Sequence, residues 1–183
     1  NYVMFEIGQP LHAFDADTII GNQVIVKNLP QGTPFVTLDG NEIKLDANDL
    51  MICNASEGMC IAGVYGGQRS GVTEKTKNIF LESAYFNPVS IRKTSKRHNL
   101  KTDAAFRFER GCDPEITVYA LRRAANIIKD IAGGLASEIT DVYPDEIERR
   151  KISLRYEDIN RIAGKKIDKQ MVCSILVSLG IDL

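Results

Sequence analysis

The sequence predicts an α+β fold in which mixed or antiparallel β layers pack with helices, followed by a small partial helical segment. Three observations predict it. Short β-prone runs crowd the first half of the chain with no helical period between them. Two helix-start signatures, Asn87-Pro88 and Asp113-Pro114, open the second half. A polar, proline-containing stretch (YPDEIERR, 143–150) then precedes a last pair of helical periods. Strands that succeed one another without intervening helices argue against a doubly wound parallel sheet.

Taken in order, residues 1–7 are apolar enough for a short helix or strand ending at Gly8, and Pro10 then forces an extended or turning backbone. The run 23–27 is rich in β-branched residues. Residues 35–38 and 42–45 flank Asp39-Gly40, a hairpin signal. Runs 50–53, 59–64 and 78–82 add three short strands. The helix opened by Asn87-Pro88 continues as a basic segment to about His98. The one opened by Asp113-Pro114 is expected to bury Ile116, Ala120, Ala124, Ile127, Ile128 and Ile131, and Gly133-Gly134 ends it. Strands are expected to return at 137–142 and 151–155. With 143–150 as a linker, the chain divides into expected domains 1–148 and 149–183. Residues 156–163 and 168–179 carry helical periods, the latter with Val172, Ile175, Leu176 and Leu179 as one stripe. Two such helices expose too much apolar face to stand alone. The chain, which opens at Asn1 without an initiator Met, therefore reads as a fragment of something longer.

Composition narrows the class. With 183 residues, 44% of them hydrophobic, there is material for one large domain and an appendage. No apolar run approaches the roughly 18 residues of a membrane span, so no membrane partner is expected. Cys53, Cys60, Cys112 and Cys173 show neither zinc spacing nor the density of a secreted scaffold, and no signal peptide is visible. Reduced thiols in a cytoplasmic protein are expected. A net charge of −1 gives no general attraction for nucleic acid, so any basic patch must be local.

Three stretches carry candidate chemistry. Glu82 closes the apolar run NIFLE, where an unpaired acid has little structural reason to be. His12, one of only two histidines, comes after the turn set by Pro10 in GQPLHAFD; pocket-lining donor and turn cap are equal alternatives. The segment GVYGGQRSG (63–71) has four glycines in nine residues, which would let a backbone approach a ligand closely, although glycines between strands commonly just turn the chain. It is not a Walker loop, because no Gly-Lys-Ser/Thr succeeds it. A carboxylate, a histidine and a glycine wall together suggest a pocket for a ring bearing one hydroxyl. No metal set is expected, since no Cys or His stands at ligand spacing. No serine or cysteine has an evident His partner, so hydrolysis here would use a positioned water. Between 92 and 110, Arg92, Lys93, Lys96, Arg97, Lys101, Arg107 and Arg110 with His98 face only Asp103 and Glu109. That excess is either a solvated face or, given a nucleic-acid partner, a phosphate-facing one.

The runs GQPLHAFD, AGVYGGQRSGV and NIFLESAYFNPVSIRKTSKRHNLKTDAAFRFERGCDP, in this order and spacing, resemble the bacterial phenylalanyl-tRNA synthetase β chain. The resemblance covers essentially the whole chain, with the B3/B4 region first and the beginning of a B5 domain from about residue 149. It implies an editing site that hydrolyses tyrosine misattached to tRNA(Phe). Matching motifs carry that pocket onto Pro10, His12, Gly63, Gly66, Glu82, Thr102 and Ala104, with Val64 and Tyr65 as slight departures. His12 would orient water or substrate, and Glu82 would accept a hydrogen bond from the phenol. Arg92, Lys93, Lys96 and Arg97 are the candidate phosphate contacts. The implied partners are tRNA(Phe), the synthetase α subunit and the remaining β-chain domains. ATP and Mg2+ would serve the full enzyme, with no cofactor in this fragment. A tRNA-docking or scaffold module without chemistry, and a stand-alone tRNA-linked regulator, are the alternative readings.

Overall fold

The structure, a computed structural model, describes residues 1–144, 147 and 151–183. It divides into two units, Asn1–Val142 and Tyr143–Leu183. The expected boundary between residues 148 and 149, with much of the 143–150 linker, lies outside the described residues.

In the first unit, α1 (Tyr2–Ile7) stops at Gly8, whose left-handed backbone (φ 84°) lets its N–H reach the Met4 carbonyl. Gln9-Pro10 turns the chain into β1 (His12–Asp15), a strand too short and too close to a proline to show in the sequence. Next come β2 (Ile25–Asn28), β3 (Pro34–Val36), β4 (Glu42–Lys44), β5 (Leu50–Cys53), β6 (Gly58–Ile61), the two-residue β7 (Tyr65–Gly66) and β8 (Ile79–Glu82). Every named pairing is antiparallel. Strands β2-β5-β6-β7 form one sheet, β3-β4 the hairpin that Asp39-Gly40 predicts, and β1-β8 a two-stranded ribbon. The α+β prediction with antiparallel layers holds. Residues 66–70 stitch these pieces together. Gly67 N donates to Met59 O, Gln68 N to Val36 O, Leu38 N to Gly66 O and Asp15 N to Ser70 O.

Helices cover the strands where the sequence places them. Asn87 caps α2 (Pro88–His98), its side chain accepting from Val89 N and Ser90 N, and Asn99 closes it at φ 52°. Thr102 caps α3 (Asp103–Phe108), a six-residue helix that the basic stretch conceals. Asp113-Pro114 opens a single 3-10 turn, Pro114–Ile116, before α4 (Thr117–Ala132) runs to Gly133. The main core gathers Phe14, Leu45, Met51, Ile61, Phe86, Ile91 and Phe108. A second, smaller one joins Val3 of α1 to Ala120 and Ala124 of α4, with Leu81 of β8 packed against it.

Two expectations need correction. Residues 137–142 and 151–155 are not strands, because their β-prone side chains find no partner strand among the described residues to complete a ladder. Ile131 is not buried but 82% exposed, since α4 has left its packing partners by its last turn. The apolar stripe of the second unit is mostly exposed, as expected of two short helices with more apolar face than they can cover. There α5 (Tyr156–Ala163) and α6 (Lys169–Ser178) bury Val172 but leave Ile175 and Leu179 open.

Candidate functional site

The ribbon of β1 and β8 builds the site. Its register sets His12 directly opposite Glu82 and Phe14 opposite Phe80, so these four side chains share one face, while Leu81 points the other way into the α1–α4 core. Glu82 thereby projects toward the main core, into a chamber of about 60 Å³. Pro10, His12, Gly63, Gly66, Glu82 and Ala104 all line it, together with Cys60, Phe86 and Phe108. Six of the seven pocket residues inferred from the sequence therefore meet around one small volume. Thr102 stands just outside. Its hydroxyl donates to Val64 O at 2.9 Å and accepts from Ala105 N, so it holds the wall that presents Ala104.

Two of the chamber's polar side chains lack hydrogen-bond partners. The Glu82 carboxylate makes no hydrogen bond or ion pair among the described residues, and burial pushes its pKa up to about 7. His12 Nε2 is buried and likewise without a hydrogen-bond partner. Burial lowers the pKa of His12, which keeps the imidazole neutral. Burial, and then the neighbouring Glu82, raise that of Cys60, whose thiol donates to Ile61 O and Tyr65 O. A neutral thiol so placed is packing rather than a nucleophile. Unsatisfied buried polar atoms are rare in folded proteins, and one of them, His12 Nε2, facing the same chamber as the half-buried, unpartnered Glu82 marks a place where a ligand's polar group would be welcome.

The glycines have a different task from an open wall. A Cβ on Gly66 would lie 2.9 Å from Cε1 of His12, so the histidine ring fills the space this glycine leaves. Gly63, at φ 65°, would meet Phe86, Ile91 and Phe108 within 3.0 Å. Gly67 faces the Met59 carbonyl and Phe35, and Gly71 faces Leu38. Close packing therefore accounts for the four glycines.

A larger cavity of about 970 Å³ adjoins the chamber and shares Pro10, Leu11 and Ala104 with it. Ser95, Lys96, Asn99 and Lys101 form its α2 side. The basic stretch divides accordingly. Lys96 faces this cavity, and neither it nor Lys93 is paired among the described residues. Arg92 donates to Glu109 O at 2.7 Å, bracing α2 against α3. Arg97 is committed to Asp46 and the buried Asp49, so it is not a free phosphate contact. Sequence reasoning missed two residues that shape the site. Gln9 is fully buried and its amide donates to Ala84 O and Pro10 O, fixing the entry to β1 beside the end of β8; its place in GQPLHAFD was the available signal. Asp49 carried no local signal. Among the described residues no group of three or more His, Cys, Asp or Glu side chains is placed to hold a metal ion.

Comparison with known proteins gives the family. The B3/4 domain family model matches residues 1–133, the segment that carries every residue of the chamber. Among curated proteins, the phenylalanine–tRNA ligase beta subunit of Porphyromonas gingivalis is 57% identical over 182 residues, covering 99% of this chain and 22% of the relative. The beta subunit of Bacteroides fragilis strain YCH46 is 54% identical over 98% of this chain and 22% of its own length. That of Pectobacterium atrosepticum is 43% identical, again over 98% of this chain and 23% of its own length. The chain thus spans less than a quarter of the length of these relatives. A model match over most of the chain, on the segment that folds into the ribbon, sheet and chamber, means that this chain belongs to the B3/4 domain family.

Proposed function

We propose that this chain carries the editing site of a phenylalanine–tRNA ligase beta subunit, which hydrolyses tyrosine esterified to tRNA(Phe). The observation that carries the reading is the unpartnered Glu82 carboxylate, set opposite His12 in a small chamber beside a much larger cavity. Support also comes from relatives named as beta subunits of that ligase.

The physical logic is an inversion of selectivity. An apolar pocket cannot strongly reject an analogue that only adds a hydroxyl, whereas a site built to bind that hydroxyl rejects the analogue lacking it. Glu82 accepts from a phenolic O–H; a phenyl ring leaves the acid unsatisfied, at a cost of about 1–3 kcal/mol or more for a charged group. The chamber takes the polar end of the ring, and the adjoining cavity takes the rest of the aminoacyl end. His12, neutral, with a free Nε2 and set opposite Glu82, orients the substrate or a water from within the chamber. The ester is already activated, so excluding the correct product and placing a water suffice, and no general base is assigned. Lys93, Lys96 and the cavity's Lys101 provide local positive charge for tRNA. On this reading the partners are tRNA(Phe), the ligase α subunit and the other β-chain domains in the cytoplasm. Residues 149–183 begin a B5-type domain, and ATP and Mg2+ act elsewhere in the assembled enzyme.

The test is ester hydrolysis by the full ligase on Tyr-tRNA(Phe) and Phe-tRNA(Phe). Glu82→Ala is expected to slow Tyr-tRNA(Phe) hydrolysis and to leave Phe-tRNA(Phe) hydrolysis unchanged or relatively raised. Undiminished preference for tyrosine would remove Glu82 as the selector and favour a docking module without chemistry.

A further inference from the structure

The carboxylate of Asp49 is fully buried on the loop between β4 and β5, away from the chamber, and it collects four donors. Thr94 Oγ1 donates to Oδ1 at 2.9 Å and Arg97 Nη1 to the same oxygen. His98 Nε2 lies 2.6 Å from Oδ2, and Asp46 N donates to Oδ2 at 2.8 Å. Three of the four belong to the second half of α2, within two turns of its C-terminus. A single buried acid thus gathers three side chains from the end of a helix that Asn99 closes.

The wall of the large cavity begins where that helix ends. Asn99 turns the chain in the left-handed region, Leu100 N returns to Ser95 O, and Ser95 Oγ donates to Leu100 O at 2.6 Å. Two residues later Thr102 fastens the next stretch to Val64 O and starts α3. Segment 99–102 is therefore clamped at one end by the α2 terminus and at the other by Thr102. Lys96, Asn99 and Lys101 reach the cavity from it or from the turn before it, and Ala104 comes next in the chamber wall.

We propose that Asp49 is a positioning residue for the substrate cavity, acting through the last turns of α2 to fix the 99–104 wall. Its link to hydrolysis rests on the editing reading above; its link to the wall does not. A mis-set wall would still admit the aminoacyl end but hold it off the productive geometry, so the loss falls on kcat rather than KM.

The experiment uses the full-length ligase, with hydrogen–deuterium exchange followed on peptides spanning 95–106 and on β6 as reference, well below the unfolding temperature. Asp49→Asn is expected to speed exchange at 99–105 by about tenfold, with β6 changed by less than about twofold. Thr94→Val removes one donor only and is expected to give a smaller change of the same pattern; it decides the matter if Asp49→Asn does not fold. In both variants kcat for Tyr-tRNA(Phe) hydrolysis falls, by roughly tenfold in Asp49→Asn, while KM and aminoacylation stay within about twofold. A uniform rise in exchange across β6 and the wall would make Asp49 merely structural and overturn the proposal. Unchanged exchange at 99–105 would overturn it equally. If the wild-type ligase did not hydrolyse Tyr-tRNA(Phe), the editing reading would fall and the exchange pattern alone would decide the role of Asp49.

Discussion

Gly66 and His12 share one volume: the ring of His12 lies where a side chain on Gly66 would begin, with Cε1 2.9 Å and Nε2 3.3 Å from the position of a Cβ. The pairing explains how an unpartnered histidine keeps one place in a chamber that offers it no hydrogen bond at Nε2. Packing orients it instead.

Gly66→Ala is therefore expected to push His12 off its position and destabilise the fold by about 1–3 kcal/mol, the usual range for overfilling a packed site. His12→Ala empties the space that the new methyl needs. In the double variant the two changes should compensate, with a coupling of about 1 kcal/mol or more. Denaturant unfolding of the four proteins gives the number. Strict additivity would mean that the ring does not depend on the glycine.

A second expectation comes from the raised pKa of Glu82, about 7 against an ordinary 4.5. The folded protein keeps a proton that the unfolded chain releases, so this group's favourable contribution is complete below pH 4.5 and is lost as pH rises through 7. Glu82→Gln removes that loss and should stabilise the protein at pH 8 by up to about 3 kcal/mol, with little gain at pH 4. Unfolding curves at the two pH values test it; equal effects at both would show that burial is not what raises the acid. On the editing reading the ionised acid is also the stronger acceptor, so the preference for Tyr-tRNA(Phe) should grow between pH 6 and pH 8.

The division of the basic stretch gives a third. Replacing Lys93 and Lys96 with alanine should make the salt dependence of tRNA binding by the full ligase shallower by about one unit per lost phosphate contact. Arg97→Ala should leave that slope alone and lower stability instead, because it strips a partner from the buried Asp49. Binding constants over a salt series separate the two. A slope that Arg97→Ala flattens and Lys96→Ala does not would reverse the assignment.

The features legible in the sequence were local. The Asn87 cap with Pro88 behind it, the Gly8 and Gly133 stops and the Asp39-Gly40 turn each depend on residues a few positions apart, and each stands where the pattern puts it. Residues 137–142 and 151–155 have the same β-prone character as true strands, but strand formation needs a neighbour that no local pattern supplies. The site divides in the same way. The resemblance reached Glu82, His12 and their neighbours, yet only the fold shows that Gly66 makes room for the histidine and Thr102 spends its hydroxyl on Val64. Arg97 looked free because the acid that claims it, Asp49, belongs to a distant segment.

The ribbon of β1 and β8 has a consequence for how the protein comes into being. Its first strand leaves the ribosome before its second, which emerges after six other strands, and the α2–α3 wall comes later still. Pairing so distant in the chain closes late, after the local hairpins and the β5-β6 turn are in place. A nascent or partly folded chain therefore carries His12 without the acid opposite it, and the acid without the wall beside it. The chamber's residues first stand together only when the chain through α3 has been made and folded, so whatever chemistry they perform is withheld until then.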